Sequence, residues 1–385
     1  MGGLDARILS VEDMRRLAHR RVPRMFFGYV ESGSWTESTR DRNEQDFRDI
    51  QFRQRVAVNI SERRLETTML GKRYAMPVAL APTGMAGMLY PDAEIEIARA
   101  AARANIPYTM STMSICPMET VADAVDQPFW FQLYVMRDRS FVRNLIARAK
   151  AVGCAALMVT LDLQVLGQRH ADIRNSLAAP PKPSFSAAMQ VLSRPRWCWR
   201  MLRARHRSFG NIAGHVPGID NLADMSGWTA RQFDPALTWD SIREIRDLWD
   251  GPLILKGVLD PDDAETAVDC GADAIVVSNH GGRQLDGAPS TISVLESIVA
   301  RVGERTEVHI DGGIRSGQDV ARALALGARA AHIGRPFLYG VAVAGGRGVT
   351  RVLDIVRNEL DLTMAFCGET DVQAISGTNL QPRRD

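Results

Sequence analysis

The stretch Ala274 to Gly282, AIVVSNHGG, sets the pattern for the whole chain. An uninterrupted apolar run breaks abruptly into polar residues and glycines. Continuous apolar character means burial on both faces, as in a parallel strand covered by helices. Seven other runs share the form: VALAPTG (Val78 to Gly84), IPYTMST (Ile106 to Thr112), FWFQLYV (Phe129 to Val135), ALMVTLD (Ala156 to Asp162), LILKGV (Leu253 to Val258), VHIDGG (Val308 to Gly313) and AAHIGRP (Ala331 to Pro336). Helical patterns lie between them, among them Ala93 to Ala104, Ser140 to Gly153, Trp239 to Trp249 and Ser316 to Gly327, several with a glycine at the end. Eight strands alternating with helices indicate an α/β chain folded as a (β/α)8 TIM barrel. A doubly wound open sheet is the competing architecture. Against it, no GxGxxG follows the first run, and no phosphate-binding GxxxxGKS or GxxxxGKT occurs anywhere. Polar residues also sit at the C-terminal ends of all eight runs, where barrel active sites are built.

The 385 residues fit one large α/β unit, read here as a single domain. Residues 1–75 form an N-terminal helical extension, with Ser10 and Asp13 as a helix cap, and residues 76–370 the barrel. Roughly ninety residues separate Asp162 from Leu253, far more than one crossover needs, so an insertion at 176–236 follows the fourth strand. Between Asp172 and Asp220 there is no acidic residue but there are eight basic ones: Arg174, Lys182, Arg194, Arg196, Arg200, Arg203, Arg205 and Arg207. Trp197 and Trp199 are interleaved with them, and Pro180, Pro181 and Pro183 make the entry irregular. Two readings stay open: a lid that docks on an anionic membrane through residues 174–207, or a solvated basic loop.

The composition, 45% hydrophobic and 24% charged, is that of a globular protein, and a net charge of +2 argues against nucleic-acid binding. The five cysteines form no CxxC pair, which points to free thiols and no metal centre. Asp5 and Arg7 stand where a signal peptide needs an apolar run, so a cytoplasmic location is expected.

The strand ends carry the chemistry. The sixth reads Ser278-Asn279-His280-Gly281-Gly282-Arg283. A histidine can take a proton near neutral pH, an arginine can grip a carboxylate through two hydrogen bonds, and the glycines let backbone approach a ligand. The seventh and eighth ends, Asp311-Gly312-Gly313-Ile314-Arg315 and Gly334-Arg335-Pro336, lie where barrels commonly bind phosphate. Thr83, Ser111, Gln132, Thr160 and Ser278 offer polar groups for a ring, which favours a phosphate-anchored cofactor over a small sugar phosphate. Lys256, one of only four lysines, ends an apolar run. It either forms a Schiff base or balances negative charge on a cofactor, and the second suits a histidine base opposite a phosphate site. Asp162 can pair with His280, and Arg169 offers a second grip on a carboxylate.

Together the motifs APTG, FQLYV, TLD, LKG, SNHGGRQLD, DGGIRSG and ALGARAAHIGRP resemble the FMN-dependent 2-hydroxy-acid dehydrogenases and oxidases. STMSICPMETVA, ETTMLGKRYAMPVALAP and FDPALTWDSIREIRDLWDGPLILKGVLDP are similar to the bacterial respiratory L-lactate dehydrogenase branch. The resemblance implies FMN as cofactor and oxidation of an L-2-hydroxy acid, L-lactate first. It implies electron transfer to a quinone or cytochrome at the inner face of the cell membrane, and a homo-oligomer, often a tetramer. By resemblance His280 is the base, Asp162 orients it, Arg283 and Arg169 hold the substrate carboxylate, and Tyr29 and Tyr134 bond its carboxylate and hydroxyl. Lys256 faces the flavin edge where reduction places negative charge. Pro82, Thr83, Gly84, Ser111, Gln132, Thr160 and Ser278 lie against the isoalloxazine, Asp311 against the ribityl chain, and Gly313, Arg315, Gly334 and Arg335 against the phosphate. Gly84 stands where oxidase members carry Ala, which disfavours oxygen as acceptor, and Met113 where glycolate oxidase has Trp. Three alternatives remain: a broader 2-hydroxy-acid oxidase or mandelate-type dehydrogenase, a Schiff-base aldolase or isomerase, and a non-catalytic flavin-binding protein.

Overall fold

The computed structural model describes residues 8–175, 185–215, 227–228 and 231–382. The N-terminal residues form three helices, Val11–Arg21, Arg24–Glu31 and Ser38–Arg48. Ser10 and Asp13 close a full capping box on the first. An antiparallel hairpin follows, β1 (Thr67–Met69) and β2 (Lys72–Tyr74). Its two-residue turn puts both Leu70 (φ +50°) and Gly71 (φ +75°) in the left-handed region, the geometry that matches strand twist. The extension read as helical over residues 1–75 therefore ends in strands; Leu70 lacks the usual Asn-Gly or Asp-Gly signal, which is why the sequence hides the hairpin.

Eight parallel strands follow: β3 (Val78–Leu80), β4 (Thr109–Ser111), β5 (Trp130–Tyr134), β6 (Ala156–Thr160), β7 (Leu253–Val258), β8 (Ala274–Val277), β9 (Glu307–Ile310) and β10 (Ala330–Ile333). Their order is β3-β10-β9-β8-β7-β6-β5-β4. A parallel bridge from Leu80 to Tyr108, just before β4, joins the two ends. The sheet therefore closes into a barrel, and the open-sheet alternative falls.

Side chains alternate across each strand, so residues two apart share a face. Ala79, Trp130, Ala156, Met158, Ile254, Ala274 and Val276 form a separate buried cluster inside the barrel. The larger cluster lies outside, between strands and helices. The alternation inside out explains why the runs read as continuously apolar. The β1–β2 hairpin packs Met69 and Tyr74 against Ala330, at the first residue of β10 and so at the N-terminal end of the barrel.

After β6 the chain runs through helix His170–Arg174 and two helices of the insertion, Phe185–Leu192 and Pro195–Met201. Trp197 anchors the latter by donating to the Met88 carbonyl and packing against Phe26. Pro180, Pro181, Lys182 and Pro183 lie outside the described residues.

Candidate active site

A cavity of about 650 Å³ opens at the C-terminal ends of the strands. The inner-face alternation builds its floor. Two residues beyond inward-facing Trp130, Met158, Ile254, Val276, His309 and His332 stand Gln132, Thr160, Lys256, Ser278, Asp311 and Gly334. One turn of the pleat thus places a ring of polar side chains, open at Gly334, above the barrel filling.

His280 sits just beyond β8 in a left-handed conformation, φ +58°. Its backbone N–H donates to Ser278 Oγ at 3.1 Å, and its ring Nδ1 meets Asp162 Oδ1 at 2.9 Å. An ionised carboxylate only accepts, so Nδ1 carries the hydrogen and Nε2 is left free. Burial lowers the His280 pKa below the usual histidine value; Asp162 opposes this, and the cations Lys256 and Arg169 reinforce it. Burial raises the Asp162 carboxyl, but His280 and Lys256 outweigh it and hold the group below the usual range. The dyad therefore rests as neutral imidazole beside carboxylate, ready to receive a proton.

Lys256 is buried, with Nζ 2.6 Å from Ser278 Oγ and 2.9 Å from Asp311 Oδ2. Burial favours its neutral form, yet Asp311 and Asp162 prevail and the pKa is raised. An ion-paired ammonium is no nucleophile, which removes the basis of the Schiff-base alternative.

Arg283 is held by the C-terminal end of helix Arg24–Glu31. Its Nη1 donates to the carbonyls of Tyr29 (2.5 Å) and Ser32 (2.9 Å), while Nη2 is buried without a partner. Arg335 leans on the same helix end through Val30 O (2.8 Å) and Ser32 O (3.1 Å). Exposed carbonyls at a helix C-terminus favour such cations. Burial and the neighbouring Arg169 push the Arg283 pKa down to about 10, so a second anion in the cavity is electrostatically welcome. The guanidiniums of Arg283 and Arg169 lie 4.7 and 6.0 Å from the Tyr29 ring. Tyr134 also lines the cavity; burial, Tyr29 and Asp162 raise its pKa, keeping a phenol proton available to donate.

Gly313, Arg315, Gly334 and Arg335 also wall the cavity, Arg335 sharing the Ser32 carbonyl with Arg283. Gly313 has φ +84°, and a Cβ there would lie 1.9 Å from the Asn43 carbonyl oxygen, so only glycine fits. Arg315 pairs with Glu44 at 2.8 Å. Helix Arg335–Ala344 starts here, with Arg335 in its first turn.

Of the residues singled out in the sequence, Tyr29, Pro82, Thr83, Gly84, Tyr134, Thr160, Arg169, Lys256, His280, Arg283, Asp311, Gly313, Arg315, Gly334 and Arg335 line this cavity. Asp162, Ser111, Gln132 and Ser278 stand behind its wall and touch residues that do, or one another. The structure adds groups that the motifs did not reveal. Asp172 accepts from Ser32 Oγ at 3.0 Å and meets Arg169 at 3.5 Å, fixing both. Leu163, Phe209 and Phe233 form an apolar wall with Met113. Phe209 and Phe233 come from the middle and the end of the insertion, and no local pattern marks them.

A family model described as FMN-dependent dehydrogenase matches residues 18–382. An L-lactate dehydrogenase of Caulobacter vibrioides (strain NA1000 / CB15N) is 45% identical over 98% of this chain and 98% of its own. One from Ectopseudomonas mendocina (strain ymp) is 43% identical over 98% of this chain and 100% of its own. Among solved structures, a monotopic membrane protein, (S)-mandelate dehydrogenase, superposes with a TM-score of 0.93 at 36% identity, covering 97% of this chain and 99% of that one. The cavity fits FMN on its own terms. Buried Gln132 Nε2, Thr160 Oγ1 and Asp311 Oδ1 have no partner, as a ring and a polyhydroxyl chain require, and two arginines and two glycines wait where a phosphate would end. The chain belongs to the FMN-dependent dehydrogenases, and FMN is its cofactor.

Proposed function

We propose that this protein oxidises a small L-2-hydroxy acid, L-lactate first, to the 2-oxo acid and passes the electrons to a quinone or cytochrome. The observation that carries the reading is the facing arrangement of the His280–Asp162 dyad and the unpartnered Arg283 Nη2 in one cavity. Bound FMN supplies the two-electron acceptor. The chain's residues do the rest. Arg283 and Arg169 bind the carboxylate, and Tyr29 and Tyr134 fix the acid's orientation by hydrogen bonds. His280 Nε2 takes the proton that leaves the substrate, and Asp162 stabilises the imidazolium formed. Lys256 holds a positive charge at the cofactor's edge, with Ser278 orienting its Nζ. Thr83, Ser111, Gln132 and Thr160 position the ring, and Arg315 and Arg335 anchor the phosphate.

The similarity to L-lactate dehydrogenases across nearly the whole chain supports lactate. A larger acid of the mandelate type is favoured by the wall of Met113, Leu163, Phe209 and Phe233, in which Met113 is readily reshaped. Values of kcat/KM on lactate, glycolate and mandelate decide between them. The same assays with oxygen as sole acceptor should yield little hydrogen peroxide; strong peroxide formation overturns the dehydrogenase assignment.

No helix among the described residues is long and apolar enough to cross a membrane. The insertion nevertheless exposes Phe185, Leu192, Trp199 and Leu202 beside exposed Arg196, Arg203, Arg205 and Arg207. That mixture suits peripheral docking on an anionic bilayer, on the cytoplasmic side by this reading. The similarity to a monotopic membrane protein supports it. A homo-oligomer belongs to the same proposal, and light scattering of the detergent-free protein measures its size.

A further inference from the structure

Below the ring of polar groups, the barrel holds two imidazoles that the reaction does not use. His309 and His332 face inward from β9 and β10, and both are fully buried. His309 Nδ1 lies 2.9 Å from His332 Nε2, and His309 Nε2 lies 3.0 Å from Glu307 Oε2. Glu307 Oε1 accepts the Leu70 backbone N–H of the hairpin at 2.9 Å. The direction of this line follows from its end. A carboxylate only accepts, so His309 Nε2 carries a hydrogen and donates it. In the neutral ring Nδ1 is then an acceptor, which His332 Nε2–H fills. His332 Nδ1 is left bare, and it is buried without a partner.

That bare nitrogen reaches the cavity because of the residue above it. His332 stands two positions before Gly334, on the same inner face, and Gly334 has no side chain to cover it. A Cβ at Gly334 would meet nothing closer than 3.8 Å. His332 accordingly lines the cavity although it belongs to the layer below. The groups around it leave Nδ1 as an acceptor. Lys256 Nζ is directed to Ser278 and Asp311, and the Trp130 ring, with its centroid 5.9 Å away, packs against it. Burial, His309 and Lys256 all push the His332 pKa well below the usual value, so the ring stays neutral.

We propose that His332 Nδ1 accepts a hydrogen bond from a hydroxyl of the polyhydroxyl chain of bound FMN, and that Glu307 sets this role from the far end of the barrel. The choice of the chain over the ring follows from position. His332 lies on β10 beside Asp311 and the Arg315–Arg335 side, whereas Gln132 and Thr160 lie on β5 and β6, across the barrel. The phosphate offers no hydrogen to share, and the chain's hydroxyls do. The proposal rests on FMN occupying the cavity.

The test is nitrogen NMR of protein labelled with ¹⁵N-histidine, first without cofactor and then loaded with FMN. The His332 Nδ1 signal should be that of an unprotonated imine nitrogen in the apoprotein. It should shift on loading, and one FMN analogue lacking a single chain hydroxyl should fail to shift it. Glu307→Gln gives a sharper test. The Leu70 N–H retains the carboxamide oxygen, so the amide nitrogen faces His309 and donates. The line then reverses, and His332 Nδ1 becomes protonated. FMN affinity should fall about tenfold in this variant and in His332→Leu, with no further loss when the two are combined. Full FMN binding with an unmoved Nδ1 signal, or wild-type affinity in both variants, overturns the proposal. Failure of the wild-type protein to bind FMN at all overturns instead the cofactor assignment beneath it.

Discussion

His280 holds a non-glycine residue at φ +58°, a conformation that costs of order 1–3 kcal/mol and persists only where surroundings enforce it. Here Gly281 and Gly282 continue in the same region, and the Ser278 and Asp162 contacts pin the backbone and the ring. The strain aims Nε2 across the cavity. Replacing His280 with Ala should slow anaerobic flavin reduction by roughly 10²–10⁴-fold while FMN stays bound; unchanged reduction would remove the base from the account. The depressed His280 pKa also fixes a pH profile. The base works as neutral imidazole, so kcat/KM falls as pH drops through the His280 pKa, and that acid limb lies below the ordinary histidine value of 6.5. Asp162 raises that pKa, so Asp162→Asn should move the limb to still lower pH and reduce the plateau rate. A limb that moves upward contradicts the assignment. His280, Arg283, Lys256 and Asp311 were legible in the sequence because each ends an apolar run. Asp172 and His332 were not, since one works through Arg169 and the other is exposed to the cavity only because Gly334 lacks a side chain.

At the scale of elements, the eight runs map onto the eight barrel strands because burial on both faces leaves no polar alternation to blur them. The hairpin β1–β2 is hidden in the sequence because a single glycine marks its turn. Helix Arg24–Glu31 is the element that braces the cavity's arginines: it delivers Tyr29 and offers its C-terminal carbonyls to both Arg283 and Arg335. The sequence identified Tyr29 only through family resemblance, because an aromatic cluster before a barrel reads equally well as core. The insertion can be tested separately. Arg200 is partly buried, lies 5.6 Å from the Tyr90 ring and touches Val343 O, so it is a poor choice for a surface variant. Converting Arg196, Arg203, Arg205 and Arg207 to Gln should weaken sedimentation with anionic vesicles by about 10²-fold or more, at roughly 1 kcal/mol for each charge. Turnover with a soluble dye should be spared. Vesicle binding equal to wild type would reduce the segment to a solvated face.

Across the whole molecule, closure of the barrel through Leu80 and Tyr108 gathers the strand ends around one cavity. In the proposed reading Arg315 and Arg335 anchor the phosphate and Arg283 and Arg169 hold the substrate carboxylate, with the His280–Asp162 dyad and Lys256 at the same cavity. Fold class and most of the site were readable because barrel strands end where the chemistry sits. The apolar wall was not, since Phe209 and Phe233 are brought to the mouth by an insertion whose path no periodicity records. The direct test of this arrangement is an anaerobic absorption titration of the purified protein with L-lactate. The account predicts a yellow protein whose visible flavin band bleaches without oxygen, with one pyruvate formed per FMN. A band that persists at saturating lactate and at saturating mandelate, with FMN fully bound, would contradict it.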